Sequence, residues 1–412
     1  MPREQFAQAC EAAELEIDGN QQGDPQILKP DDFYRAFRKN PFLAMGEGFG
    51  AEFWTSEDLS ATMEALIGSH IEGTGPALTI PQRIRLGCYY AARRLTNPQR
   101  RKPTEVATHH YDIGRDYWAA TLGPSMKYTG AYWHPEYGDF DLDTFQELDL
   151  KILCERLQLE EGMKVLDIGF GFGTNTRYMV ENYGVEVTGL TVSREQMASA
   201  EKECADIEDK VRFILKSWDQ ISPDELGQFD RVVSIEMIEA VGPKNLDDHF
   251  RFIAGALRDG GLAVIQGINS EKGSHATDPY IDKYIFRNGV LVKLAWMIDA
   301  AEKAGLVLRS ADNSMADGYV QTLDSWNAAQ EGRTDLHEKY RDQFKDIFPY
   351  KTTDDTFWRL MKYYFLACKA GFSVGHMHNG HFVFQKQGAG TSNIDVQIPR
   401  TREEVFQLLG RD

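Results

Sequence analysis

Val165-Leu166-Asp167-Ile168-Gly169-Phe170-Gly171-Phe172-Gly173-Thr174 decides the fold. A short apolar run ending in three alternating glycines reads as a buried strand that turns sharply into a helix. Glycines at such a turn let the backbone pass close beneath a ligand, and the helix start leaves N–H groups free to meet it. Thr174 stands where a GxGxxG dinucleotide fingerprint needs its last glycine, so a dinucleotide site is the weaker reading. No lysine follows the turn, which excludes a P-loop. A tight turn without a ligand is the alternative.

Outward from this turn, strand-like runs at Lys164–Ile168, Glu186–Thr191, Val211–Leu215, Arg231–Ile235 and Gly261–Gly267 alternate with helical patterns. That alternation predicts an α/β fold, a parallel sheet with helices on both faces. Upstream, residues 1–72 read as short amphipathic helices with turns at Asp18-Gly19-Asn20 and Asn40-Pro41. Asn97-Pro98 through Pro103 reads as a connection between domains. The expected division is a small helical N-terminal domain over 1–104, a catalytic domain over 105–388 and a tail over 389–412. Gln387–Asn393 is a small-residue linker, and the tail is expected to hold one short helix around Val405, Leu408 and Leu409.

Composition narrows the function. The 412 residues carry 45 Lys and Arg against 63 Asp and Glu, a net charge of −18, which repels phosphate backbones and disfavours nucleic acid as a partner. No apolar run approaches the roughly 18 to 20 residues needed to span a bilayer, and the charged first thirty residues lack a signal-peptide core. The five cysteines (Cys10, Cys88, Cys154, Cys204, Cys368) have no metal or disulfide spacing, and His109-His110 has no ligand neighbours, so no metal site is expected. One stretch runs against the acidic total. Gly73 to Thr104 holds no acid but contains Arg83, Arg85, Arg93, Arg94, Arg100, Arg101 and Lys102. It reads either as a solvated helix with a basic linker or as a patch for anionic lipid headgroups. The headgroup candidates are Arg93, Arg94, Arg100, Arg101 and Lys102.

With Asp167 two residues before the first glycine, the turn resembles motif I of class I S-adenosylmethionine methyltransferases. The fold class this implies is a Rossmann-like sheet with helices on both faces, beside the small helical domain. The second strand ends in Gly189-Leu190-Thr191-Val192-Ser193 without an acid for the ribose hydroxyls, leaving that work to Thr191 or Gln196. Ser217-Trp218-Asp219 offers an aromatic plane for adenine beside a carboxylate that can accept from its amino group.

Further stretches extend the resemblance. They are His110-Tyr111-Asp112-Ile113-Gly114, Tyr128-Thr129-Gly130-Ala131-Tyr132-Trp133, and Met237-Ile238-Glu239-Ala240-Val241-Gly242-Pro243-Lys244-Asn245. Asp278-Pro279-Tyr280-Ile281-Asp282-Lys283-Tyr284-Ile285-Phe286 with Asn288-Gly289, and Tyr363-Tyr364 through Ala367-Cys368, complete the set. Together they resemble the cyclopropane-fatty-acyl-phospholipid synthase family over about residues 5–387. In the helical part, Pro30-Asp31-Asp32-Phe33 and Ala44-Met45-Gly46-Glu47-Gly48 resemble that family's long bacterial members.

The resemblance implies S-adenosylmethionine as cofactor, held by Tyr128, Thr129, Asp167, Gly169, Gly171, Gly173, Thr191, Gln196, Trp218 and Asp219. It implies transfer of a one-carbon unit to the double bond of an unsaturated phospholipid acyl chain at the membrane surface. Tyr132, Trp133, Tyr280, Tyr284 and Phe286 are candidates for stabilising the resulting carbocation, with plain packing as the alternative. In the family a bicarbonate ion serves as base, and the carried-over residues are Glu239, Tyr319 and Ile268. Gly130 stands where the family has Cys, Gln266 where it has His, and Ala240 replaces a His beside Glu239. Gly130 keeps its N–H, but Gln266 is neutral and cannot titrate, which predicts a weakened bicarbonate site. Two products stay open, a cyclopropane and a methyl- or methylene-branched chain, as does Glu239 serving as base itself. Peripheral association with the cytoplasmic face of the membrane and a homodimer follow from the same resemblance. The competing readings are a C-methyltransferase for a small natural product and an inactive, lipid-associated S-adenosylmethionine-binding protein.

Overall fold

The structure is a computed structural model and describes residues 2–74, 77–101, 113–273, 277–388, 402–408 and 410. The chain divides into two compact units. One joins Met1–Thr96 to Ala276–Arg287 and Leu323–Met377; the other joins Asn97–His275 to Asn288–Thr322 and His378–Asp412. The expected boundaries at 104 and 388 differ from this partition, because segments far apart in sequence pack together. Arg359 Nε donates to the Phe49 carbonyl at 2.6 Å, and its guanidinium lies 4.1 Å over the Phe49 ring. Gly46 lies so close to Tyr280 that a Cβ there would sit 2.2 Å from the ring. The tail helix, Arg402–Leu408, belongs to the second unit, where Lys151 Nζ donates to the Leu408 carbonyl at 2.6 Å.

The first unit is helical. Its amino-terminal elements are α1 (Pro2–Ala12), α2 (Pro30–Lys39), α3 (Pro41–Gly50), α4 (Leu59–Glu72) and α5 (Ile80–Thr96). Proline in the first turn starts α2 and α3, where a missing N–H costs nothing. Phe6 packs edge-on against Phe33 and Phe37, with centroids at 5.0 and 5.4 Å. The buried Glu47 accepts from Tyr284 Oη at 2.8 Å and Lys283 Nζ at 2.6 Å, so its charge is compensated inside the core. At the start of α4 the Asp58 carboxylate accepts from the Ala61 N–H at 3.0 Å. Asp58→Ala is expected to lower stability by about 1 kcal/mol in a denaturant melt, and Asp58→Asn by less.

The second unit holds a seven-stranded sheet: β1 (Lys164–Ile168), β2 (Glu186–Thr191), β3 (Val211–Leu215), β4 (Phe229–Ile235), β5 (Leu257–Asn269), β6 (Leu306–Asp312) and β7 (His378–Lys386). Their order is β3-β2-β1-β4-β5-β7-β6. The first five run parallel as expected, and β7 pairs antiparallel with both β5 and β6. The strands alternate faces with the period of two that a pleat imposes. Leu166, Ile168, Val232, Ala263 and Ile265 pack with Phe250 and Ile253 of α9 (Leu246–Ala256) on one face. Val165, Val187, Val233, Leu262 and Val264 pack on the other with Leu153 and Leu157 of α6 (Leu142–Leu157) and Met179 of α7 (Thr174–Tyr183). Between α7 and α9 lies α8 (Arg194–Glu203). Strand order reverses between β1 and β4, and a crevice at the carboxyl ends of such strands is where α/β sheets take ligands.

Candidate active site

The glycine turn leaves β1 with positive φ at all three glycines, +90° at Gly169, +58° at Gly171 and +97° at Gly173. Its geometry is fixed from below. The Gly169 N–H donates to the Leu190 carbonyl at 2.9 Å, and the Asp167 carboxylate accepts from Asn175 Nδ2 at 3.2 Å and Thr176 Oγ1 at 3.1 Å. Burial pushes the Asp167 carboxyl up to about 6 despite those two hydrogen bonds.

Above the turn opens a cleft, lined by Asp167, Gly169 and Gly171 from the turn, Thr191 and Gln196 beyond β2, Trp218 and Asp219 beyond β3, and Tyr128 and Thr129. Nine of the ten expected cofactor residues therefore meet in one cavity. Gly173 is the exception: it caps α7, and a Cβ there would lie 3.0 Å from Ala200 of α8, so it serves the packing of two helices. Thr191 Oγ1 donates to Gln196 Oε1 at 3.1 Å, holding the amide at the end of β2 where a ribose acid is missing. The Trp218 ring meets the edge of His249 at 4.8 Å. Burial pushes the His249 imidazole down to about 3, so the ring packed against Trp218 is neutral.

The five residues expected at an anion site are drawn together around β5. Glu239 Oε1 accepts from the Ile268 N–H at 2.5 Å, while Oε2 is buried without a partner. Burial pushes this carboxyl well up, and the charge of Glu236 adds to the shift. Gln266 Nε2 donates to Thr129 Oγ1 at 3.0 Å. Gly130 lies against the ring of Tyr319, where any Cβ would sit 2.6 Å from Cδ2; the missing side chain is what admits the ring.

Sequence reasoning missed Glu236. It ends the apolar run Val232-Val233-Ser234-Ile235, and an acid closing a buried strand at the carboxyl edge of the sheet was the signal available. Glu236 has φ +50° and donates its N–H to the Gln266 carbonyl at 2.9 Å. Its Oε1 accepts from Thr129 Oγ1 at 2.8 Å and Asn379 Nδ2 at 2.5 Å, and the residue lines the cleft. This arrangement does not suit a bound bicarbonate. The Ile268 N–H and the Gln266 amide already serve protein oxygens. Among the described residues, Gln266 Oε1 and Asn379 Oδ1 are buried acceptors without a partner and would face an anion unfavourably.

Of the headgroup candidates, Arg100 lines the cofactor cleft and pairs with Asp248 at 2.9 Å, and Arg93 pairs with Asp282. Each therefore has a carboxylate partner in its own unit. Arg101 is exposed, and the Arg94 side chain and Lys102 lie outside the described residues, as do His109-His110 and Tyr111-Asp112. The five candidate carbocation aromatics line no part of the cleft. Tyr132 donates to Asp312 at 2.8 Å beneath the Arg156 guanidinium, and Trp133 Nε1 donates to the Gly138 carbonyl. Tyr280 and Tyr284 are buried in the helical unit, and Phe286 meets the edge of Tyr364 there. Packing is the role these contacts describe.

Comparison with known proteins gives the family. Residues 98–382 match the family model for mycolic acid cyclopropane synthetase. The chain is 32% identical over 376 residues, 91% of each chain, to the cyclopropane-fatty-acyl-phospholipid synthase of Escherichia coli K12. It is 29% identical over 315 residues, 75% of each chain, to a probable fatty acid methyltransferase of Pseudomonas putida. Among solved structures, the cyclopropane synthase MmaA2 from Mycobacterium tuberculosis superposes with a TM-score of 0.58 at 25% identity, covering 68% of this chain and 98% of that one. Mycolic acid cyclopropane synthase CmaA1, solved with SAH and CTAB, gives the same TM-score and coverage at 26% identity. With its cleft, its strand order and these likenesses, the chain belongs to the mycolic acid cyclopropane synthetase family and is an S-adenosylmethionine-dependent methyltransferase.

Proposed function

We propose that the protein adds a one-carbon unit from S-adenosylmethionine across the double bond of an unsaturated fatty acyl chain of a membrane phospholipid. One observation carries this reading: nine expected cofactor residues converge on one cleft that also holds a carboxylate, Glu236. S-adenosylmethionine supplies an electrophilic methyl on a sulfonium. The chain's task is to present that methyl to a weakly nucleophilic alkene with water excluded. Trp218 offers a face for the adenine, Asp219 an acceptor for its amino group, and Gln196 with Thr191 polar atoms for the ribose.

A lipid surface as the meeting place is supported by α5. It exposes Ile80, Ile84, Cys88 and Leu95, spaced by four, four and seven residues, so that they share one face. Ile80 and Leu95 are 74% and 78% exposed, and Arg83 and Arg85 stand exposed on the same helix. An apolar face with basic neighbours suits the interface of an anionic bilayer. Among the described residues no helix is long and apolar enough to cross a membrane, so the contact proposed is peripheral.

The test is incubation with S-adenosylmethionine and vesicles of a cis-monounsaturated anionic phospholipid, followed by release and mass analysis of the fatty acids. A gain of one CH2 is expected, with the protein sedimenting with the vesicles. Mild hydrogenation then separates the products, since a cyclopropane resists it and a methyl- or methylene-branched alkene does not. An unchanged acyl mass with every unsaturated lipid would overturn the proposal.

A further inference from the structure

Adding a methyl cation to an alkene leaves a positive charge, and for either proposed product, a cyclopropane or a branched alkene, loss of a proton discharges it. The proposed reaction therefore needs a base within reach of the cleft. Asp167, Asp219 and Glu236 line the cleft and Glu239 stands near it. Asp167 is engaged by Asn175 and Thr176 beneath the glycine turn, and Asp219 is placed at the adenine in the function proposed above, which leaves Glu236 and Glu239 to be separated by geometry. Glu239 does not line the cleft; one of its oxygens is taken by the Ile268 N–H and the other is buried without a partner. Both residues are half-buried, but Glu236 does line the cleft, together with residues of the glycine turn. Its Oε1 is held by Thr129 Oγ1 and Asn379 Nδ2. Thr129 is itself fixed by Gln266, whose amide donates to the same hydroxyl, and the Glu236 N–H is tied to the Gln266 carbonyl. Gln266 thus holds both the backbone and the side-chain partner of Glu236.

Resting on the function proposed above, we infer that Glu236 is the base of this reaction, a carboxylate supplied by the chain itself. The electrons balance without a further reactant. The carbon–sulfur bond breaks toward sulfur, giving S-adenosylhomocysteine, and the methyl carbon bonds to one alkene carbon. Glu236 then takes a proton, either from the added methyl, whose C–H pair closes a cyclopropane, or from a neighbouring carbon, whose pair forms a new double bond. The protonated Glu236 afterwards returns its proton to water. Burial pushes the Glu236 carboxyl up to about 7, against the two hydrogen bonds that pull it down, so near neutrality it is ionised in part and basic enough for the task. Asp149 raises it further and Lys127 lowers it; Glu239 stands on the following helical turn, and His381 lies beside Asp149. With a carboxyl at about 7 as the base, kcat/KM is expected to fall as pH drops below about 7.

The experiment uses the full chain, the vesicles named above and buffers freed of carbon dioxide. Wild-type turnover is expected without added bicarbonate. Glu236→Gln is expected to lose at least about 100-fold in kcat, the range removal of a general base gives, while still binding S-adenosylhomocysteine, whose neutral sulfur does not sense the lost charge. Glu236→Gly supplies the second arm. The positive φ at 236 suits glycine, and the space left admits a small carboxylate, so added formate or bicarbonate is expected to restore turnover in proportion to its concentration. Wild-type turnover that requires added bicarbonate, or a Glu236→Gln enzyme at full rate, would overturn the assignment. A wild-type enzyme that modifies no lipid would instead overturn the function proposed above, and this base with it.

Discussion

Gly169→Val is expected to weaken S-adenosylhomocysteine binding by about 100-fold or more, measured by calorimetry, with the circular dichroism of the α/β fold retained. Two effects act together. At φ +90° a β-branched residue is strained by about 1–3 kcal/mol, and the turn can relieve that only by swinging away from its present path. A Cβ at 169 would also lie 3.2 Å from the Met237 side chain, which lines the same cleft, so the new methyls have no empty direction except the cavity itself. A loss of about 2.7 kcal/mol in binding corresponds to 100-fold. Gly171 has φ +58°, but a Cβ there would meet nothing within 4 Å, so Gly171→Ala should cost less than any change at 169. If Gly169→Val bound the nucleoside normally, the cleft above the turn would not be the cofactor site.

That turn and the strands β1, β2, β4 and β5 were legible because parallel strands inside the sheet are buried on both faces and read as largely apolar runs. The edge strand β3, nowhere fully buried, showed as the short run Val211-Arg212-Phe213-Ile214-Leu215. The two strands that escaped show why others do not. The edge strand β6, Leu306–Asp312, is only partly buried and carries Arg309, Ser310 and Asp312. The inner strand β7 is buried, yet begins His378-Asn379-Gly380-His381, because its polar side chains serve the interior: Asn379 reaches Glu236, and His381 stands beside Asp149. A buried polar network has no period to announce it. The partition of the helical unit was hidden for a different reason. Tyr280 and Arg359 belong to it by contacts with Gly46 and Phe49, more than two hundred residues earlier, and no local pattern encodes such a return. The departures at Gly130 and Gln266 were visible as substitutions, but their meaning depends on Glu236, whose side chain meets Thr129 only in the folded chain.

The polar interior behind Glu236 gives the largest expected effect on stability. Asp149 of α6 is fully buried, pairs with the buried Lys127, and has His381 Nε2 at 3.1 Å from its other oxygen. Burial alone would push its carboxyl up; Lys127 first, and then His381, more than offset this and hold it at about 2. A carboxyl depressed on folding stabilises the protein above its ordinary value of 3.8, and that contribution is lost as pH falls from there toward 2. Asp149→Ala leaves Lys127 charged and unpaired in the interior, a change that costs about 3–5 kcal/mol. The midpoint of urea unfolding at pH 7 should fall accordingly, and the variant's stability should decline less steeply than the wild type's as pH drops from 3.8 toward 2. Replacing both members, Lys127→Met with Asp149→Leu, should recover most of the loss, since an apolar pair of similar volume avoids desolvating either charge. Activity should not recover with it. Lys127 precedes Tyr128 and Thr129, and Gln146 Nε2 on α6 donates to the carbonyls of Lys127 and Thr129 at 3.1 and 3.3 Å, so this segment carries the hydroxyl that orients Glu236. A double variant as stable as the wild type but slower in kcat would place the cost of a buried ion pair on the side of catalysis; equal kcat would make the pair purely structural.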